Sequence, residues 1–232
     1  MIYPRHLAII ADGNRTWAKN KGLPTMDGHF AWAKNTIEGL QHIFSTTDVE
    51  VVTWRFLSTE NMTQRSAEEL AFIFGIYKLI GNDLDEFLGS NQINFRRVWN
   101  RAWIPEDFLD YLDSKQKQFT FSNSSRSAVF ALNYWWRDEI IRWIKTLSAD
   151  DIASLTQESF SSRLDFGNMP PVDMVIRTKW DKAHRTSGFM AWRIGYAELY
   201  FAKEYYPDLS NDKLDEALKR FDSIAENRNY GK

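Results

Sequence analysis

Short apolar runs rich in β-branched residues alternate along this chain with longer segments of helical period, and that alternation constrains its fold more than any other feature. Strands are predicted over 6–11, 49–57, 92–99, 127–134 and 172–177. Helices are predicted over 30–44, 66–89, 105–118 and 136–147, with shorter ones across 149–163. A last helix is predicted over 210–226, capped by Ser210 or Asn211, with Leu214, Leu218 and Phe221 along one face. Asn91 and the Ser122–Ser125 cluster read as loops. Apolar strands separated by helices imply an α/β domain, here a mostly parallel β-sheet of about six strands flanked by helices. At 232 residues the chain is expected to form one domain, 1–232. Ligands of such sheets lie beyond the carboxyl ends of the strands, where Asp12, Ser58–Asn61, Asn133 and Arg177 fall.

The first strand candidate ends in the most telling local pattern, His6-Leu-Ala-Ile-Ile-Ala-Asp-Gly-Asn-Arg-Thr-Trp17. An acid at the end of a buried strand, beside a glycine and an opening helix, suits a metal and a diphosphate. The helix start offers free N–H groups and a favourable dipole, and Asp12 can ligate Mg²⁺ held against phosphate oxygens. Asp-Gly-Asn alone also makes ordinary turns. A second cluster runs from Arg177 through Lys179, Lys182 and His184 to Arg185 and Ser187. Two arginines and a serine just past a strand form a diphosphate clamp by charge-assisted hydrogen bonds; a solvated basic loop is the alternative. Glu198, inside Tyr196-Ala-Glu-Leu-Tyr-Phe201, reads as part of an aromatic helix, where a carboxylate is either paired inside the fold or coordinates a cation. A lone histidine such as His29, after Gly28 at a helix start, is more often a structural hydrogen-bonder than a catalyst.

Composition narrows the classes. Lys plus Arg is 29 against 31 for Asp plus Glu, so no net field draws the chain to nucleic acid or acidic membranes. The absence of cysteine excludes disulfides and thiolate metal sites and fits a reducing, cytoplasmic setting. With no histidine pair at zinc spacing, Mg²⁺ bound by carboxylates is the metal option left. The start, Met-Ile-Tyr-Pro-Arg, lacks the pattern of a signal peptide, and no apolar run approaches the ~20 residues of a membrane span. Ten tryptophans and sixteen phenylalanines fill a core or line an apolar ligand cavity.

The order of these motifs resembles the cis-prenyltransferase family, typified by undecaprenyl diphosphate synthase. The matching segments are the Asp12-Gly-Asn14 stretch, Gly28-His29, Leu57-Ser-Thr-Glu-Asn61, Asn133-Tyr134, Val172–Thr178, Arg185-Thr-Ser187, Trp192, Tyr196–Phe201 and Pro207-Asp208. The resemblance implies isoprenyl diphosphate substrates: an allylic diphosphate at the first strand end and isopentenyl diphosphate at the arginine clamp. It assigns Mg²⁺ to Asp12, with Glu198 completing the metal site. Gly13, Asn14, Arg15 and Trp17 would bind the allylic substrate, and Arg177, Arg185 and Ser187 isopentenyl diphosphate. Asn61 and His29 would position or relay the departing proton. A homodimer is implied, with a heteromer as the alternative.

Several positions depart from the family pattern. Thr16 and Thr25 stand where basic residues are usual, and Asp27 precedes Gly28. Leu57 and Met62 replace aromatics, Trp135-Trp136 replaces a glycine pair, and the segment between Arg177 and Arg185 is two residues longer. The tail reads Asn229-Tyr-Gly231 where an arginine usually opens it. Three readings follow: a cis-prenyltransferase making a short product, a head-to-middle (lavandulyl-type) condensation of two dimethylallyl diphosphates, or a weakly active or non-catalytic partner subunit. Phe72, Phe74, Tyr77, Phe130, Trp135 and Trp136 suit a shortened tunnel under the first reading, with Lys179, Lys182 and Arg15 replacing lost charge.

Overall fold

A computed structural model describes residues 1–179, 181 and 184–225. In chain order the elements are β1 (His6–Ile10), α1 (Asn14–Asn20), α2 (Thr25–Thr46), β2 (Val51–Arg55), α3 (Thr59–Gln64), α4 (Ala67–Asp83), α5 (Asp85–Ser90) and β3 (Asn94–Trp99). They continue with α6 (Glu106–Gln118), β4 (Ser127–Leu132), α7 (Trp136–Ile144), α8 (Ala149–Ala153), α9 (Gln157–Arg163), β5 (Met174–Arg177), β6 (Glu198–Phe201) and α10 (Asn211–Ala225). A 3₁₀ turn at Tyr206–Asp208 precedes α10. The strands form one six-stranded sheet in the order β3-β4-β2-β1-β5-β6, parallel at every pairing. The chain moves outward from β1 through β2 and returns at β5 on the other side of β1. A crevice therefore opens where β1 and β5 diverge toward their separate connections.

The alternation of side chains along each strand divides the core. Leu7, Ile9, Val52, Trp54, Phe95, Phe130, Met174 and Ile176 face one buried layer shared with α2, α4, α6 and α10. Ala8, Ile10, Val51, Val98, Val129, Ala131 and Val175 face the other, where Tyr134, Phe166, Phe189 and Met190 pack. One chain of polar groups inside is fully matched. Trp54 Nε1 donates to the Tyr206 hydroxyl at 2.8 Å, which lies 3.2 Å from Thr36 Oγ1, and Thr36 donates to the Trp32 carbonyl at 2.9 Å. Because Thr36 spends its proton on that carbonyl, Tyr206 donates to Thr36, and the chain of donors closes with every buried group satisfied.

Four expectations change. The segment 198–201 is an edge strand rather than a helix, because aromatic and branched residues there pair in register with β5. The predicted helix 66–89 breaks at Leu84 into α4 and α5. The helix expected from residue 30 begins at Thr25, where Pro24 supplies a fixed φ at the N-cap. Gly28 and His29 consequently lie within α2, not at its start. Gly28 is required by packing: a Cβ there would sit 2.3 Å from the Asn14 carbonyl oxygen, so α1 and α2 touch backbone to side-chain-free backbone.

Candidate active site

The first two sequence motifs meet at the β1–β5 crevice. Gly13, at φ 107°, turns the chain sharply from β1 into α1 under the ring of Tyr205, which a Cβ would approach to 2.5 Å. This turn is tied down by Thr178. The Asp12 N–H donates to Thr178 Oγ1 at 2.8 Å, and that hydroxyl lies 2.8 Å from the Asp12 carbonyl oxygen. Asp12 is thus held by its backbone while its carboxylate faces a cleft. There it takes a hydrogen bond from Arg177 Nη2 at 2.7 Å and lies 3.9 Å from Lys179 Nζ.

Arg177 is almost wholly buried. Its Nη1 donates to Ser187 Oγ at 2.7 Å and to the Arg185 carbonyl, while its buried Nε has no hydrogen-bond partner among the described residues. Ser187 adopts a left-handed backbone at φ 49°, turning its hydroxyl to that guanidinium. Lys179 also adopts a left-handed backbone, at φ 62°, and is anchored by an N–H bond to the Glu204 carbonyl at 2.8 Å.

The cleft has a volume of about 440 Å³, within the range of small-ligand sites. Asp12, Gly13, Asn14, Arg15, His29, Asn61, Arg177, Arg185 and Ser187 all line it, as do Thr16 and Lys179. Among the described residues, six cationic side chains (Arg15, Arg55, Arg65, Arg177, Lys179 and Arg185) border it against two carboxylates, Asp12 and Glu60. A chain with a formal charge of −2 therefore concentrates positive charge at one place, which suits a polyanion. At the inner end the lining becomes apolar: Ile10, Trp32, Phe56 and Tyr77. Phe56 stacks on Phe130 at 4.0 Å and meets Tyr77 and Trp32 edge-on at 4.6 and 4.9 Å. An ionic mouth over an aromatic floor can hold a diphosphate and shield the hydrocarbon attached to it.

His29 and Asn61 have local partners. The His29 Nε2 lies 3.1 Å from Glu69 Oε1, and Arg65 Nη1 donates to the same oxygen at 3.2 Å. A carboxylate only accepts, so the neutral His29 ring carries its proton on Nε2. Burial lowers the His29 pKa, Arg65 adds to that, and the Glu69 hydrogen bond opposes it. Asn61 closes a capping box with Ser58: its N–H donates to Ser58 Oγ at 3.1 Å, and its Oδ1 accepts from the Ser58 N–H at 3.5 Å. The Nδ2 donor is the end of Asn61 not spent on the cap. Asn14 Oδ1 is buried with no partner among the described residues, an acceptor open to a ligand donor or cation.

Two residues expected at the site lie elsewhere. Trp17, one helical turn beyond Gly13, points its indole N–H to Asp208 at 2.7 Å. Glu198 pairs with Met174 in register, three residues before the Arg177–Phe201 pair, so it stands about 10 Å down the strands from the cleft. Among the described residues no group of three or more His, Asp or Glu side chains gathers around one point. The donors that remain still fit Mg²⁺, which commonly takes one carboxylate and completes its shell with phosphate oxygens and water. Asn133 is likewise structural, its Nδ2 bonded to the carbonyls of Asn100 and Ala102 at 3.0 and 2.8 Å.

The departures from the family pattern also resolve by position. Thr16 faces the cleft, whereas Thr25 and Asp27 do not line it, so no acid is added there. Trp135 and Trp136 press against Gly188, where a Cβ would meet both rings at 2.9 Å; neither lines the cleft. Phe72 pairs edge-on with Phe30 at 5.3 Å near the surface, and Phe74 and Phe130 lie behind the lining. Trp180, Lys182 and Asn229–Gly231 fall outside the described residues. Sequence reading missed Arg55, Arg65 and Phe56. Arg55 ends β2, next to β1 in the sheet, and that adjacency was its only signal. Burial, and then Arg177, pull its pKa down to about 10.

Comparison with known proteins agrees with this geometry. Residues 10–231 match the family model described as "Putative undecaprenyl diphosphate synthase". An isoprenyl transferase of Treponema denticola is 37% identical over 98% of this chain and 97% of its own length. A tritrans,polycis-undecaprenyl-diphosphate synthase (geranylgeranyl-diphosphate specific) of Thermoplasma volcanium is 32% identical, over 99% and 89%. Among solved structures, lavandulyl diphosphate synthase of Lavandula x intermedia, in complex with dimethylallyl diphosphate, superposes with a TM-score of 0.84 at 27% identity, covering 94% of this chain and 95% of that one. With an all-parallel sheet, an Asp12–Arg177 crevice and a match along nearly its whole length, this chain belongs to the undecaprenyl diphosphate synthase family of cis-prenyltransferases.

Proposed function

We propose that this transferase condenses an allylic diphosphate with isopentenyl diphosphate in the presence of Mg²⁺, giving a short cis-prenyl diphosphate. The observation that carries the reading is the junction of a six-cation mouth with the Phe56 floor in one cleft. Gly13, Asn14 and Arg15 cradle the allylic diphosphate, with Asp12 as the protein ligand to the metal. Arg177, Arg185 and Ser187 hold isopentenyl diphosphate. When bound, Mg²⁺ supplies charge that stabilises the leaving diphosphate.

The chemistry needs little more from the protein than placement and charge. The C1–O bond of the allylic substrate breaks with its electron pair going to the diphosphate, where Arg15 and the first turn of α1 meet the developing charge. The isopentenyl double bond forms the new bond to C1. A proton leaves its C2 for a diphosphate oxygen, and Asn61 and His29 hold the groups around that transfer. Trp32, Phe56 and Tyr77 exclude water from the cation. Trp17 and Glu198, placed away from the cleft, act from a distance in this reading: Trp17 by fixing α1 to Asp208, and Glu198 through a partner protomer in a homodimer. No helix is long and apolar enough to cross a membrane among the described residues, and a cytoplasmic location is proposed.

Two observations favour a second reading. The lavandulyl diphosphate synthase superposes along most of the chain, and Thr25 stands where a basic residue is usual, which supports head-to-middle condensation. Mass spectrometry of products formed with Mg²⁺ separates the two. A product that requires isopentenyl diphosphate beside dimethylallyl, geranyl or farnesyl diphosphate is expected. A ten-carbon product from dimethylallyl diphosphate alone would replace the first reading with the second. No product from folded protein in any mixture would favour the partner-subunit role.

A further inference from the structure

Arg55 stands out from the family pattern of the cleft, because neither diphosphate position just described uses it. The sheet register explains where it points. Ile10 pairs with Arg177, and Ile9 with Trp54; carried one residue further, the register sets Ile10 between Arg55 and Arg177. In a parallel sheet, side chains of one row project from the same face. Arg55 and Arg177 thus rise on the same face at the carboxyl ends of β2 and β5, two strand spacings or about 10 Å apart at their backbones. Above them their guanidinium groups converge on one residue. Arg177 Nη1 donates to Ser187 Oγ at 2.7 Å, and Arg55 Nη2 donates to the Ser187 carbonyl at 3.2 Å.

The two arginines differ in what they have left to offer. Arg177 is committed to Asp12, Ser187 and the Arg185 carbonyl, with its buried Nε unpartnered among the described residues. Among the described residues Arg55 makes the single hydrogen bond to Ser187, and otherwise lies over the face of Phe189 at 5.9 Å. Both line the cleft together with Arg185. The guanidinium groups of buried Arg177 and half-buried Arg55 thus meet in a cleft where, among the described residues, cationic side chains outnumber the carboxylates of Asp12 and Glu60, which suits an anion.

We infer that Arg55 is the third guanidinium of the isopentenyl diphosphate site, determining its affinity for the alkyl diphosphate that attacks. This rests on the division of the cleft under the proposed function. An alkyl diphosphate is a polyanion, and Arg55 adds a third positive charge to those of Arg177 and Arg185 beside the single carboxylate of Asp12 that Arg177 already pairs. Arg55 reaches the anion from β2, the side opposite Arg177, so the diphosphate is gripped across β1 instead of from one edge.

Calorimetric binding in the presence of Mg²⁺ tests this on the full chain, with three probes: inorganic diphosphate, isopentenyl diphosphate and an unreactive thiolo analogue of dimethylallyl diphosphate. Arg55→Gln keeps a donor for the Ser187 carbonyl but removes the charge; Arg55→Lys keeps the charge. A charge-assisted hydrogen bond of about 1.5–3 kcal/mol corresponds to roughly 10- to 150-fold in affinity. Arg55→Gln is expected to weaken isopentenyl diphosphate by that factor and the allylic analogue by less than about threefold, with Arg55→Lys recovering part of the loss. Equal weakening of both organic ligands, or a change below about threefold for isopentenyl diphosphate, would overturn the inference. Inorganic diphosphate separates this outcome from failure of the functional reading. If its binding falls in Arg55→Gln while no substrate pair yields product, the anion site stands and prenyl transfer does not. If its binding is unchanged, the inference falls whatever the product assay gives.

Discussion

Replacing Phe56 by alanine should lengthen the product by about one isoprenoid unit. The change deletes six ring carbons at the inner end of the cleft, and an isoprenoid unit adds five. Phe56 is the residue to cut because it faces the cleft while its ring leans on Phe130 at 4.0 Å, with Tyr77 and Trp32 at its edges. The Tyr77 hydroxyl bonds to the Phe56 main-chain oxygen at 2.9 Å, so that link survives the substitution and keeps the neighbouring wall in place. A phenylalanine-to-alanine change in a core costs about 3–5 kcal/mol. One side of this ring meets the open cleft, which places the cost near about 3 kcal/mol, or roughly 6–12 °C in Tm for a chain of this size. Mass spectrometry of the products and a melting curve read both quantities. A Tm loss of the expected size with an unchanged longest product would refute the reasoning, because the space would have been opened without relieving any limit. Phe72→Ala serves as the contrast: that ring pairs with Phe30 outside the cleft, and its loss should leave product length unchanged.

Other perturbations follow from the same geometry. Asp12→Asn should reduce transfer by about a hundredfold or more with little change in Tm; activity within tenfold of the parent would remove the metal role. Arg177→Ala should raise KM for isopentenyl diphosphate at least about tenfold while moving the allylic KM much less, and equal changes would argue against two divided sites. His6, fully buried, lies with Nδ1 2.9 Å from the Pro170 carbonyl and Nε2 2.7 Å from the Thr53 hydroxyl, and burial lowers its pKa to about 4. The stability tied to its neutral ring is present above about pH 6.5 and is lost as pH falls through 4, about 3 kcal/mol in all; His6→Gln should flatten the acid side of a Tm–pH curve, and an unchanged slope would contradict this. Glu139 acts in the opposite sense. Burial raises its pKa to about 7, so its contribution is present below about pH 4.5 and lost as pH rises through 7. Glu139→Gln should make Tm climb more steeply with pH across that window, and no change in slope would show that the buried carboxyl does not titrate there.

Local physics made a large share of this protein legible from its residues. Strands such as His6–Ile10 and Ser127–Leu132 are buried on both faces, so they read as unbroken apolar runs and imply a parallel sheet. Asp12 and Arg177 were identifiable because they stand at strand ends, which share one edge of a parallel sheet, and Arg185 and Ser187 because they lie in the segment that follows Arg177. What the chain could not disclose locally was which strands become neighbours and which way each side chain turns. Glu198 looked like a site carboxylate within an aromatic segment, yet the β5–β6 register sets it at the other end of the strand. Trp17 sits within the site motif but turns away, since each helical residue rotates by about 100°. Phe56 and Arg55 are adjacent and unremarked in sequence, yet one forms the aromatic floor and the other the far wall of the anion site. Those roles arise from pairings between residues more than a hundred positions apart, such as Arg55 with Ser187 and Trp54 with Tyr206. Periodicity and strand-end chemistry are properties of a few consecutive residues and belong to the sequence, whereas register, neighbour order and side-chain direction are set only when the whole sheet closes on its two cores.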